Sequence, residues 1–467
     1  MLTRASVVAA FWLATCLVFP SNSIRMACAD DWPHWMGPTH DGVWHETGIL
    51  DRFPIGGPTV LWRSKIGQGH AGPAVVGDRI YVMDRTIDDR PDDKNKSIAR
   101  GPRSIAGGEQ VICLDTKTGD AVWTYKYDCP YRIAYPTGPR CTPAVDGELV
   151  FTLGAMGKLT CLKSADGELV WEKELTTTYD CKPPLWGYSS HPYVDGDKLL
   201  VAVGGEGSGI VAFDKRTGDE IWKSVTTADI GYAPLAIYEH PSERQLIYWH
   251  TESIDSLDPE TGEVLWSVKF PLEKNESQTS IATPRIYGNK LLICEYYKGT
   301  VLLELGSNPP SVKQLRRSYK TDPRNRSTLN TLMTTPFIKN GHAYSVANDT
   351  KDNGIFRCVE IETGDVKWTK PDWMTKKPVI FSTAFIVEHE DKNFIFNDIG
   401  ELMIVKLTPD GFNELERAPL IKPTGVTRGR DVVWCHPAFS NGRMYVRNDE
   451  EIICVDLRKS TSSDSSK

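Results

Sequence analysis

The chain has 467 residues, 25% charged and 40% hydrophobic, with 38 Gly, 30 Pro and 14 Trp. That balance belongs to a globular protein and excludes a disordered or membrane-embedded one. A formal charge of −7, with no basic stripe, argues against a nucleic-acid partner.

In chain order, Arg4, the apolar run from Ala5 to Phe19 and the small-residue site Ala27-Cys28-Ala29 read as a secretory signal peptide. Residues 1–29 are expected to be cleaved near Ala29/Asp30, which places the mature chain in the periplasm or cell envelope. The run is too short to span a bilayer, so no transmembrane span is expected. Leu13-Ala14-Thr15-Cys16 is similar to a lipoprotein box, but Thr15 is a poor residue before the Cys. An N-terminal extension follows at 30–52.

From 53 to 458 the sequence repeats. Five eleven-residue windows, CLDTKTGDAVW, CLKSADGELVW, AFDKRTGDEIW, SLDPETGEVLW and CVEIETGDVKW, end at Trp123, Trp171, Trp222, Trp266 and Trp368. Each carries Gly at its seventh place, which reads as strand, tight turn with φ > 0, and a second strand bearing the Trp. A Trp at one fixed place per unit packs between neighbouring sheets. Between the windows, a Pro leads into two apolar strands joined by a polar turn. These markers start at Pro73, Pro143, Pro192, Pro234, Pro284, Pro336 and Pro437, with a degenerate copy at Ala384. Asp-Gly, Asn-Gly and Gly-Asn turns between alternating apolar runs are hairpin signals. A hydrophilic insertion at about 84–110 reads as a solvated surface loop.

Four short strands per unit, eight times over, predict an all-β fold: one eight-bladed β-propeller of four-stranded blades. The last unit lacks its Trp-bearing strand, and Val60-Leu61-Trp62-Arg63 at the other end supplies it, closing the ring with an N-terminal strand. The tail at 459–467 reads as disordered. Of the nine Cys beyond the signal peptide, Cys113, Cys161, Cys358 and Cys454 share one repeat position and read as core. Any disulfide is expected among Cys129, Cys141 and Cys181.

The windows resemble the tryptophan-docking motif of the pyrroloquinoline quinone (PQQ) propeller family, and the stretch from Trp186 to Asp197 resembles its third blade. Trp32-Pro33-His34-Trp35-Met36-Gly37-Pro38 with Asp41-Gly42 is similar to the N-terminus of exported bacterial PQQ-like repeat proteins. The resemblance implies two classes of function, because the family holds both quinone-dependent dehydrogenases and cofactor-free scaffolds.

In propellers, ligands sit near the central channel, at residues just before each innermost strand. The candidate binding constellation is Tyr135, Arg140, Trp186, Ser189, His191, Arg428, Arg430, Trp434 and His436, with Asp431 as a weak candidate base. It offers cations for an anion, aromatics for a plane, and one acid. A PQQ-dependent alcohol or aldehyde dehydrogenase would need PQQ with Ca2+ held by hard oxygens, and a carboxylate base. The chain has no adjacent Cys-Cys pair, and no Ca2+ ligand set emerges from spacing. The preferred expectation is therefore a monomeric binding or scaffold module, taking a cell-envelope protein or a small anionic or aromatic ligand at the channel face. The alternative is the quinoprotein dehydrogenase.

Overall fold

The computed structural model describes residues 30–87, 105–270, 279–318, 329–348 and 353–459. Residues 1–29, expected to be a signal peptide, the core of the hydrophilic insertion and residues 460–467 lie outside the described residues.

Eight four-stranded antiparallel sheets form an eight-bladed β-propeller. Blades 1 to 7 occupy 74–128, 144–174, 193–224, 236–269, 285–318, 337–370 and 384–419. Blade 8 combines Ala438–Ser440, Arg443–Arg447 and Glu451–Asp456 with the N-terminal strand Val60–Lys65. That strand runs antiparallel to the last one, with Arg63 opposite Ile453, so the ring is closed as expected. All eight sequence markers are inner hairpins, from Ala74–Val76 with Arg79–Thr86 to Ala438–Ser440 with Arg443–Arg447. A further hairpin, Gly425–Thr427 with Arg430–Val432, stands between blades 7 and 8. The one helix among the described residues, Leu175–Thr178, is a single turn.

The repeat residues meet between blades. The indole N–H of Trp62 in blade 8 donates to the Thr116 carbonyl of blade 1 at 3.0 Å. Trp123 reaches Ser164 at 3.0 Å, Trp171 reaches Lys215 at 3.1 Å, Trp222 reaches Pro259 at 3.3 Å and Trp368 reaches Thr408 at 2.8 Å, each in the next blade. The ring of each of the first four lies against the turn glycine of the next blade. A Cβ on Gly262, at φ +74°, would sit 2.4 Å from the Trp222 ring. Trp266 departs from this pattern and donates to Gln245 of its own blade at 2.8 Å. Between blades 5 and 6 an arginine substitutes: Arg316 donates to the Ile361 carbonyl at 2.9 Å and lies over Gly364.

Two expectations are corrected. The insertion is not a loop throughout, because Arg79–Thr86 and Gly108–Asp115 are strands. Asp84, Arg85 and Glu109 at its ends are buried. Each has partners that make burial tolerable. Asp84 accepts from Gly67 N–H, and Arg85 donates to the Cys129 and Ile105 carbonyls with its guanidinium 3.5 Å from the Tyr131 ring centroid. Glu109 accepts from the Tyr127 and Tyr131 hydroxyls and from Ala155 N–H. Second, all nine described Cys are free, including Cys129, Cys141 and Cys181. Cys141 turns instead to the Tyr188 and Ser190 carbonyls, and Cys181 to the Tyr188 hydroxyl.

Candidate functional site

The connections that lead into the inner strands converge on the channel axis and enclose a cavity of about 800 Å3. Eight of the residues singled out from the sequence are brought together on its wall: Tyr135, Arg140, Trp186, Ser189, His191, Arg428, Trp434 and His436. Arg430 and Asp431 are not part of the lining. Arg430 pairs with the fully buried Asp398 at 2.6 Å, and Asp431 is exposed on the extra hairpin. A base must reach the proton it takes, and Asp431 stands outside the cavity.

Three lining residues hold backbone conformations that side chains rarely adopt: Tyr135 at φ 52°, Phe381 at 60° and Arg428 at 45°. Such strain persists where surrounding structure fixes a side chain for a purpose. Arg428 sits on the turn of the extra hairpin, with its guanidinium 4.6 Å from the Phe381 ring centroid. Arg140 is anchored by the carbonyls of Gly138, Ala134 (3.0 Å) and Tyr135 (2.5 Å). Burial lowers its pKa from the ordinary arginine value, opposed by the nearby Tyr131 and Glu109.

The three lining histidines are neutral. Burial, then the charges of Arg140 and Arg447, lower His70 to about 3. Burial, then His436 and His34, lower His191 to about 3, and burial lowers His436 to about 4. The Thr142 N–H donates to Nδ1 of His191 at 2.9 Å, while Nδ1 of His436 donates to the Pro437 carbonyl at 2.5 Å. Groups with conjugate acids this strong are weak general bases at neutral pH.

Sequence reasoning missed Trp35, His70, Tyr232, Tyr296, Phe381 and Phe385 on the wall. His70 and Tyr232 had a signal, since they stand shortly before Pro73 and Pro234 just as Arg140 stands before Pro143. Trp35 had none in the repeat. Among the described residues the lining holds nine aromatic side chains, three neutral histidines and two arginines, and no Asp or Glu.

A family model described as "Outer membrane protein assembly factor BamB" matches residues 107–325. The solved structure of BamB from Moraxella catarrhalis superimposes with a TM-score of 0.56 at 15% identity, covering 86% of this chain and 98% of that one. The chain folds as a PQQ-like β-propeller. The quinohemoprotein alcohol dehydrogenase from Comamonas testosteroni is similar to this PQQ-like propeller at TM-score 0.59 and 14% identity, covering 94% of this chain and 82% of that one. A europium-containing methanol dehydrogenase gives 0.56 and 13%, with 89% of each chain covered. At these identities the likeness shows the shared fold. No curated protein matches the sequence.

PQQ with a metal ion is the group this fold implies. The propeller's cavity fits it in part: two arginines suit carboxylates and the aromatics suit a flat ring. It does not fit the metal or the base. Among the described residues no carboxylate lines the cavity, and no group of three His, Cys, Asp or Glu is placed to hold a metal ion.

Proposed function

We propose that this protein is an exported, non-catalytic binding module that holds a small, flat, anionic aromatic molecule in its channel cavity. The observation that carries the reading is the composition of the described wall, aromatic and cationic with no carboxylate. An aromatic wall gives stacking area, and two arginines on a wall that carries no carboxylate of its own give an anion its counter-charge. The same wall argues against the dehydrogenase reading, which needs hard oxygens for Ca2+ and a carboxylate base.

The test is a fluorescence titration of the mature protein with anilinonaphthalene sulfonate, with uncharged phenylnaphthylamine as the matched control, and with PQQ in the presence and absence of Ca2+. One anionic probe is expected per chain, bound more tightly than the neutral one. Arg140→Gln or Arg428→Gln should weaken the anion by about tenfold to a hundredfold, the range for a lost charged hydrogen bond, and leave the neutral probe unchanged. Equal affinity for both probes would overturn the reading. Ca2+-dependent PQQ binding with reduction of a dye by an alcohol would establish the dehydrogenase instead.

We place the protein in the cell envelope, consistent with the signal-peptide reading of residues 1–29. No helix among the described residues is long and apolar enough to cross a membrane.

A further inference from the structure

One residue of the cavity wall, Trp35, comes from outside the repeats. Residues 30–50, which precede the ring, run across the ends of the blades and are tied to one after another. Trp32 exchanges two backbone hydrogen bonds with Val75 of blade 1, at 2.7 and 2.8 Å. The Pro33 carbonyl accepts from Val145 N–H of blade 2 at 2.9 Å. His40 stacks on Tyr193 of blade 3 at 4.2 Å and on His34 at 3.7 Å. Arg285 of blade 5 donates to the Asp41 carbonyl at 2.9 Å. Trp44 and Gly42 pair with Glu388 of blade 7, and the Glu46 carboxylate accepts from Asn441 and Gly442 of blade 8.

Trp35 is the one side chain of this described segment on the cavity wall. It is set there from three directions. Its indole N–H donates to the Thr283 hydroxyl at 3.0 Å. Its ring stacks on His191 at 4.2 Å and 20°, and His436 leans on it at 4.7 Å and 57°. Trp32 and Trp44 of the same segment are fully buried core residues, whereas Trp35 is only half-buried. A large flat ring fixed by neighbours yet left uncovered toward a cavity is preorganised to receive a second ring.

We infer that residues 30–50 form the floor of the binding cavity and that Trp35 is the ligand-contacting platform on which a planar aromatic ligand stacks. This rests on the reading above that the cavity takes a flat aromatic anion.

The test titrates wild type, Trp35→Phe and Trp35→Leu with anilinonaphthalene sulfonate, with thermal unfolding measured on the same samples. Trp35→Phe keeps an aromatic face and should stay within about threefold of wild type, whereas Trp35→Leu should lose about tenfold, the worth of one aromatic contact. Both variants should unfold at similar temperatures. As a second measurement, the fluorine NMR resonance of Trp35 in fluorotryptophan-labelled wild-type protein, assigned with Trp35→Phe, should shift on saturation with the probe. This second readout holds even if Trp35→Leu does not fold. If wild type binds the anion with Arg140 and Arg428 dependence, but the Trp35 resonance stays put or Trp35→Leu binds like wild type, the platform is wrong and the cavity reading survives. If wild type shows no arginine-dependent binding, the cavity reading fails and takes the platform with it.

Discussion

The rim and the channel of this propeller are built on opposite principles. At the rim, one small set of residues recurs from blade to blade, a Trp or its substitute against the next blade's turn, and the same bond is made again and again. Where the set varies, the interface adapts, as with Arg316 on Gly364 or Trp266 turning to Gln245. In the channel the contributions vary: blade 2 is led by Arg140, blade 4 by Tyr232 and blade 8 by Trp434, although blades 1, 3 and 8 each bring a histidine, His70, His191 and His436. Repetition at the rim sums nearest-neighbour interfaces into a stable ring. Variety at the axis leaves the ring free to hold a ligand without altering what holds it together.

This contrast breaks if rim changes alter binding or channel changes unfold the ring. The largest effect is expected from Trp222→Ala, which empties a buried interblade position and should cost about 3–5 kcal/mol in urea unfolding. The affinity of the folded fraction for the anionic probe should not change. A tenfold change in affinity would show that rim and channel are coupled.

Arg430→Met tests the boundary between the two regions. Its partner Asp398 is fully buried, and burial already raises the pKa of that carboxyl. Removing the cation leaves an unpaired buried acid, so a loss of about 3 kcal/mol is expected, by the general cost of breaking such pairs. Asp398→Asn in the same background should recover part of it. Probe affinity should move far less than in Arg140→Gln, because Arg430 is not part of the cavity lining.

The smallest effect for a single residue is a pH slope, carried by His34 of the N-terminal segment and by His191 and His436 of the wall. Burial holds His34 at about 4, His191 at about 3 and His436 at about 4, below their ordinary 6.5. The folded state therefore keeps them neutral while the unfolded chain takes up protons below 6.5. Their stability contribution is complete above pH 6.5 and is lost as pH falls from there toward 4. Each should add up to about 1.4 kcal/mol per pH unit within that window. His34→Phe should flatten the curve by one such increment between pH 6.5 and 5; an unchanged slope would mean that this ring is hydrated in the folded protein.

The eight blades, their inner hairpins and the closing strand at Val60–Lys65 were legible in the sequence because each is a local pattern. A turn glycine, an alternating run and a Trp at fixed spacing specify a strand or hairpin through neighbours a few residues away. The pre-strand rule also reached Arg140, Ser189, His191, Trp434 and His436 on the wall, since every blade delivers the same place to the axis. It failed at Arg430 and Asp431, where being near the axis in sequence did not decide which way a hairpin side chain points. It also read charged residues at 84–110 as solvated, although Arg85 and Glu109 find buried partners at the blade edge. Trp35 shows the limit most plainly: its bond to Thr283 joins positions 248 residues apart. The sequence by itself determined the ring, because repetition writes the same short-range physics eight times. Only the tertiary structure decided the cavity, because its walls and floor come from single residues that meet through long-range packing.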